Sequence, residues 1–135
     1  MADLARRPTV VLADDDRSLL DRVRQLLNCE FEVVGTVEDG HALLTAASDL
    51  HPDLFVTDIS MPRLNGFQAA RQLMKEQPSS RIVFLTVHDA PVIVTEALSI
   101  GVSGYVLKRS AASELIPALR QVLDGGQFIS KGIQE

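Results

Sequence analysis

The sequence predicts an α/β fold, a doubly wound five-stranded parallel sheet with helices on both faces, and two observations predict it. Short apolar runs alternate with stretches of helical period, a pattern that implies right-handed βαβ crossovers. The runs are continuously apolar, as in strands buried on both faces of a parallel sheet. A third observation bears on function. Four runs end on polar residues: 10–13 on Asp14-Asp15, 54–57 on Asp58, 82–85 on Thr86 and 105–107 on Lys108. In open α/β sheets the carboxyl ends of the strands line the ligand crevice, so three acids, a hydroxyl and an ammonium are expected on one rim.

The elements follow in order. After the first strand, Leu19, Leu20, Val23, Leu26 and Leu27 share one face of a helix over about 17–28. Asp14 and Asp15 are candidate caps for it, and Asp16 or Ser18 would serve as well. Phe31-Glu32-Val33-Val34-Gly35 alternates only in part, which fits an edge strand. Ala42, Leu43, Ala46, Ala47 and Leu50 form the buried face of a second helix. Beyond the strand 54–57, Pro62 fixes φ in a loop, Gly66 relieves crowding at a helix start, and Phe67, Ala70, Leu73 and Met74 line the third helix. Asp89-Ala90-Pro91 reads as an N-cap with proline in the first turn of a fourth helix reaching about Ile100. Its apolar pattern is the weakest of the set. Gly101 closes that helix and Gly104 opens the last strand. Leu115, Leu119 and Val122 mark the final helix, which Pro117 should kink or delay.

Composition narrows the function. A chain of 135 residues, 46% hydrophobic and 23% charged, suits one globular domain. It has no apolar stretch of about 18 residues and no charged-then-apolar leader, so no membrane span or signal peptide is expected and a cytoplasmic home follows. The single Cys29 has no internal disulfide partner and reads as a small buried or half-buried thiol. A net charge of −5 with no basic run beyond Arg6-Arg7 disfavours a nucleic-acid footprint, so this chain alone is expected not to bind DNA. His41 and His51 lack ligand-like spacing and read as surface residues.

The rim itself suits transfer of a phosphoryl group to a carboxylate. Both partners are anionic, so a hard cation must neutralise charge and align oxygens, and Mg²⁺ does this with one or two carboxylates plus phosphate oxygens. Lys108 supplies a compact positive charge for Asp58 and then for a phosphate oxygen, and Thr86 supplies a hydroxyl donor. Plainer readings stand beside these: Asp58 as a turn residue, Lys108 as a solvated strand end, Thr86 as a β-former, and Tyr105 as core.

Asp14-Asp15, Asp58 in Thr57-Asp58-Ile59-Ser60-Met61-Pro62, Thr86, and Tyr105-Val106-Leu107-Lys108 together resemble the receiver domain of two-component response regulators. The segment from Lys108 to Ser130, with Gly125-Gly126, further resembles receivers of the NarL/FixJ (LuxR-type) class. The resemblance implies a flavodoxin-like sheet of order 2-1-3-4-5 and an organisation into a tail 1–7, a receiver 8–124 and the start of a linker, 125–135, to an output domain. It implies that Asp58 accepts a phosphoryl group from a sensor histidine kinase. It implies Mg²⁺ held by Asp15, Asp58 and the Ser60 backbone carbonyl, with Asp14 acting partly through water. Thr86 and Tyr105 would then be the switch, moving the surface of the fourth helix and fifth strand, and homodimerisation on phosphorylation is a further implied partner state. Ser60 and His88 would flank the path of the hydrolytic water and tune lifetime. The chain departs from the family at Arg109, where many receivers carry proline, at Pro117, and at Val87, bulkier than the usual Ala or Gly. Such a chain is a switch that catalyses only its own phosphorylation and dephosphorylation. The alternatives are a stand-alone receiver acting by protein–protein interaction, or a Mg²⁺-dependent aspartyl-phosphate phosphohydrolase, against which Ser60 stands where that chemistry usually places a second Asp.

Overall fold

The structure, a computed structural model, describes residues 6–133. Most of the tail 1–7 and the last two residues of the segment 125–135 lie outside them. Its elements run β1 (Thr9–Ala13), α1 (Arg17–Leu27), β2 (Glu32–Val37), α2 (Gly40–Leu50), β3 (Leu54–Thr57), α3 (Gly66–Glu76), β4 (Ile82–Thr86), α4 (Pro91–Ile100), β5 (Gly104–Leu107), a 3₁₀ turn (Lys108–Ser110), α5 (Ala111–Leu123) and β6 (Phe128–Ile129). All strands pair in parallel in the order β2-β1-β3-β4-β5-β6. The expected five-stranded order is thus present, and the correction is one added strand at the β5 edge.

Strand period explains the layering. Val11 and Ala13 point to one face with Phe55, Ile82, Phe84, Tyr105 and Leu107, where α2, α3 and α4 cover them. Val10 and Leu12 point to the other with Val56, Val83, Leu85 and Val106, under α1 and α5. Side chains leave each strand in both directions into apolar cover, which is why those runs read as continuous. β2 is the exception, half-buried along much of its length as an edge strand should be.

Local chemistry fixes the ends. Asp16 caps α1, its carboxylate accepting the Leu19 N–H, and Asn65 and Gln68 form a reciprocal capping box on α3. At α4 the expected Asp89 cap does not form: Ala90 is the N-cap, without a side-chain bond, and Pro91 takes the first turn, where it needs no donor. Three further expectations are corrected. Cys29 is exposed, in the turn that follows α1. Leu50 is 45% exposed, because α2 ends over the edge strand, beside Gly35. Finally, α5 runs unbroken through Pro117, which sits on its exposed side while Leu115, Ala118, Leu119 and Val122 pack inward.

Candidate functional site

Parallel pairing carries the chain one step past the strand ends and sets the acids side by side. The Asp14 N–H donates to Val37 O at 3.0 Å and the Asp58 N–H to Ala13 O at 2.9 Å, at the point where the strand order reverses. Carboxylate oxygens of Asp14, Asp15 and Asp58 all lie within 4.8 Å of one another. Asp14 and Asp58 are buried, at 3% and 6% exposure, while Asp15 faces solvent. One oxygen of each buried acid is held by backbone: the Asp16 N–H donates to Asp14 at 2.9 Å and the Ile59 N–H to Asp58 at 2.7 Å. The other oxygen of each meets Lys108 Nζ, at 2.9 Å from Asp14 and 3.1 Å from Asp58.

One ammonium therefore serves two buried acids. Burial pushes the Asp14 carboxyl above its ordinary value and, with the neighbouring Asp58 charge, outweighs the hydrogen bonds from Lys108 and Asp16. Burial by itself would lower Lys108, but the bond to Asp14 and the charges of Asp58 and Asp14 prevail and hold it above its ordinary value. The two directions agree physically: the ammonium has two anionic partners, whereas Asp14 shares one cation with a like charge. Three carboxylates against one cation leave excess negative charge, carried on oxygen ligands and open to solvent at Asp15. That donor set fits a hard divalent cation, with Asp14, Asp15 and Asp58 as candidate ligands.

The remaining predicted residues meet at His88. Thr86 is fully buried at the end of β4, and its hydroxyl oxygen accepts the His88 N–H at 3.3 Å. Tyr105, also fully buried, donates its phenol hydrogen to His88 O at 2.7 Å and stands edge-on to Phe84, centroids 6.4 Å apart. Across the loop after Asp58, the Ser60 hydroxyl lies 3.0 Å from His88 Nε2. Ser60 and His88, expected as separate flanking residues, thus touch. Val87 is 65% exposed and lines an open groove with Leu19, Leu26 and Arg109 beside Lys108.

Sequence reasoning missed what holds the loop 59–66. The Gly66 N–H donates to Ile59 O at 2.7 Å, and a Cβ on Gly66 would lie 2.1 Å from Asp58 O. On the far side the Gly40 N–H donates to Leu64 O at 2.8 Å, and Arg63, at φ 67°, pairs with the largely buried Asp39 at 3.0 Å. Asp39-Gly40 and Asn65-Gly66 are the same motif, a cap followed by glycine, and that repetition was the available signal.

The family model for the response regulator receiver domain matches residues 10–120. The transcriptional regulatory protein DegU of Brevibacillus brevis is 37% identical over 122 residues, 89% of this chain and 52% of that protein. The nitrate/nitrite response regulator protein NarL of Escherichia coli K12 is 33% identical over 127 residues, 93% of this chain and 59% of its own length. A two-component response regulator of the LuxR family from Aurantimonas sp. SI85-9A1 superposes with a TM-score of 0.91 at 27% identity, covering 95% of this chain and 93% of that one. The chain spans little more than half the length of these two curated relatives.

Proposed function

Because this chain belongs to the response regulator receiver domain family, with relatives of the NarL/LuxR type, we propose that it is a phosphorylation-activated switch whose phosphoacceptor is Asp58. One observation carries the choice of residue. Asp58 follows β3, which lies between β1, whose end leads into Asp14 and Asp15, and β4, which ends on Thr86, so it is the acid placed between the other two carboxylates and the hydroxyl, with Lys108 Nζ at 3.1 Å.

Asp15, Asp58 and the Ser60 carbonyl would hold Mg²⁺, with Asp14 acting through water; when bound, the ion offsets the negative charge between carboxylate and phosphoryl donor. In the transfer an Asp58 oxygen forms the new bond to phosphorus while the bond from phosphorus to the leaving group breaks, the leaving group keeping the electron pair. Lys108 passes from the Asp58 charge to a phosphate oxygen. The Thr86 hydroxyl turns its hydrogen to another. We assign the donor to a sensor histidine kinase in the cytoplasm, and the output to a DNA-binding domain in cis. The response is then read on the surface of α4 and β5, where phosphorylated chains would also pair as homodimers. Ser60 and His88 touch two residues past Asp58 and Thr86, which supports a role for both in ordering or obstructing the hydrolytic water.

The test is incubation with a small phosphodonor, with and without Mg²⁺, followed by intact-mass measurement. A stable gain of roughly 80 Da, one phosphoryl group, is expected only with Mg²⁺. Asp58→Asn should fold and remain unlabelled. Equal labelling of Asp58→Asn and parent would move the phosphoacceptor elsewhere, and turnover of phosphoester substrates without an accumulated adduct would favour a phosphohydrolase.

A further inference from the structure

We propose that residues 127–133 form a displaceable strap whose docking on the β5 edge is coupled to Tyr105, so that the strap carries the state of the site to the carboxyl-terminal side of the domain. β6 has only two residues, and its ladder rests on the Phe128 N–H to Ser103 O at 3.0 Å and the Ser130 N–H to Tyr105 O at 2.8 Å. So short an edge strand is marginal by its own hydrogen bonds. What fastens it is a set of polar contacts from α5. The Ser130 hydroxyl, on a residue 2% exposed, donates to the Glu114 carboxylate. The Lys131 N–H donates to the other Glu114 oxygen at 3.2 Å, and Gln121 Nε2 donates to Gln127 O at 2.6 Å. Gly132 closes over Arg109 and Leu107: a Cβ there would lie 2.9 Å from an Arg109 nitrogen and 3.0 Å from Leu107. Arg109 in turn pairs with Asp89, in the segment that joins β4 to α4, at 3.5 Å.

Tyr105 is where strap and site meet. Its carbonyl accepts the Ser130 N–H, and its phenol donates to His88 O, the residue that also touches Thr86 and Ser60. The ring is fully buried, and a close-packed interior transmits strain, so a change in its packing is felt by the strand that carries it. β5 is held on one side by the ladder to β4, which spans four residue pairs, and on the other by β6 alone, with two. A displacement of Tyr105 is therefore absorbed on the weaker side, by loosening the strap. Coupling of this kind is reciprocal: releasing the strap must loosen Tyr105 by the same free energy.

Hydrogen exchange on the whole chain tests this, read at the Ser130 and Lys131 amides. Tyr105→Phe keeps the ring and removes only the bond to His88. It is expected to speed exchange at Ser130 and Lys131 several-fold while amides of β1 and α1 keep the parent rate. In the reverse direction Glu114→Gln, which weakens the clasp at constant shape, is expected to raise acrylamide quenching of Tyr105, the only tyrosine in a chain without tryptophan. Unchanged exchange at Ser130 in Tyr105→Phe, or acceleration by one common factor at every amide, overturns the coupling. A third arm rests on the reading of Asp58 as phosphoacceptor: labelled protein should show altered Ser130 exchange. A mass shift without that alteration counts against the strap, whereas no mass shift counts against the phosphoacceptor and leaves the Tyr105→Phe result to decide.

Discussion

Asp14 sits in a place that disfavours its ionised form, and the balance is measurable. Its folded pKa is raised, so its contribution to stability is complete below the ordinary value of 3.8 and lost as pH rises through the raised one. At neutral pH without divalent cation the carboxylate therefore opposes folding. Asp14→Asn keeps an acceptor for the Asp16 N–H and removes the charge; it should stabilise the metal-free protein by about 1 kcal/mol and abolish this group's share of the pH dependence. Denaturant titration checks the gain, and Mg²⁺ titration should show weaker binding. Tyr105 gives a second reading at the same scale. Burial, with the Asp89 and Asp58 charges, pushes its phenol up to about 12, so the stability it contributes is present below 10.0 and lost as pH rises toward about 12. Ultraviolet absorbance of the phenolate should rise only near that value and coincide with loss of the fold. Titration near 10.0 in folded protein would place the ring in solvent.

Among the elements, those defined by hydrophobic period and capping side chains were legible in the sequence. Asp16, one of the four cap candidates, caps α1, and the buried faces of α1 and α5 are the expected ones. Asp89 failed as a cap because a nearer constraint won: Pro91 fixes the first turn, which makes Ala90 the boundary residue. β6 was invisible because two residues carry no period, and its main fastening, Glu114, lies on a different element. Pro117 shows that packing overrides propensity, since the inward face of α5 continues on both sides of it. Its cost should remain: Pro117→Ala on this exposed side restores a helical donor and is expected to stabilise by about 1–3 kcal/mol, read as a raised Tm. Gly66→Ala should act oppositely. The added methyl meets Asp58 O at 2.1 Å, so loss of stability and slower labelling together are expected. Unchanged labelling in a folded variant would detach that backbone contact from the site.

For the whole molecule, the candidate site was legible because parallel topology brings its charged groups to one edge, and only the contacts among them needed coordinates. Asp14, Asp58 and Lys108 converge as strand order requires. The meeting of Ser60, Tyr105 and Thr86 at His88 depends on loop shape, which no residue pattern encodes. Net charge also acts at this scale. At −5 the chain should repel a polyanion. Gel-shift assays at low salt should show no complex with duplex DNA, and salt-sensitive retardation would overturn that expectation.

The sheet order also imposes a schedule on synthesis. Of the six strands β1 is made first yet lies inside the sheet between β2 and β3, and when β3 arrives the acids at 14 and 58 are brought together. Lys108, which neutralises them, lies 50 residues further along the chain from Asp58. Until it emerges, a nascent half-sheet would bury like charges with no counterion from its own sequence, and that repulsion opposes premature closure. The same two acids that form the rim thus oppose early pairing of β1 with β3, and Lys108 relieves that opposition once β5 is complete.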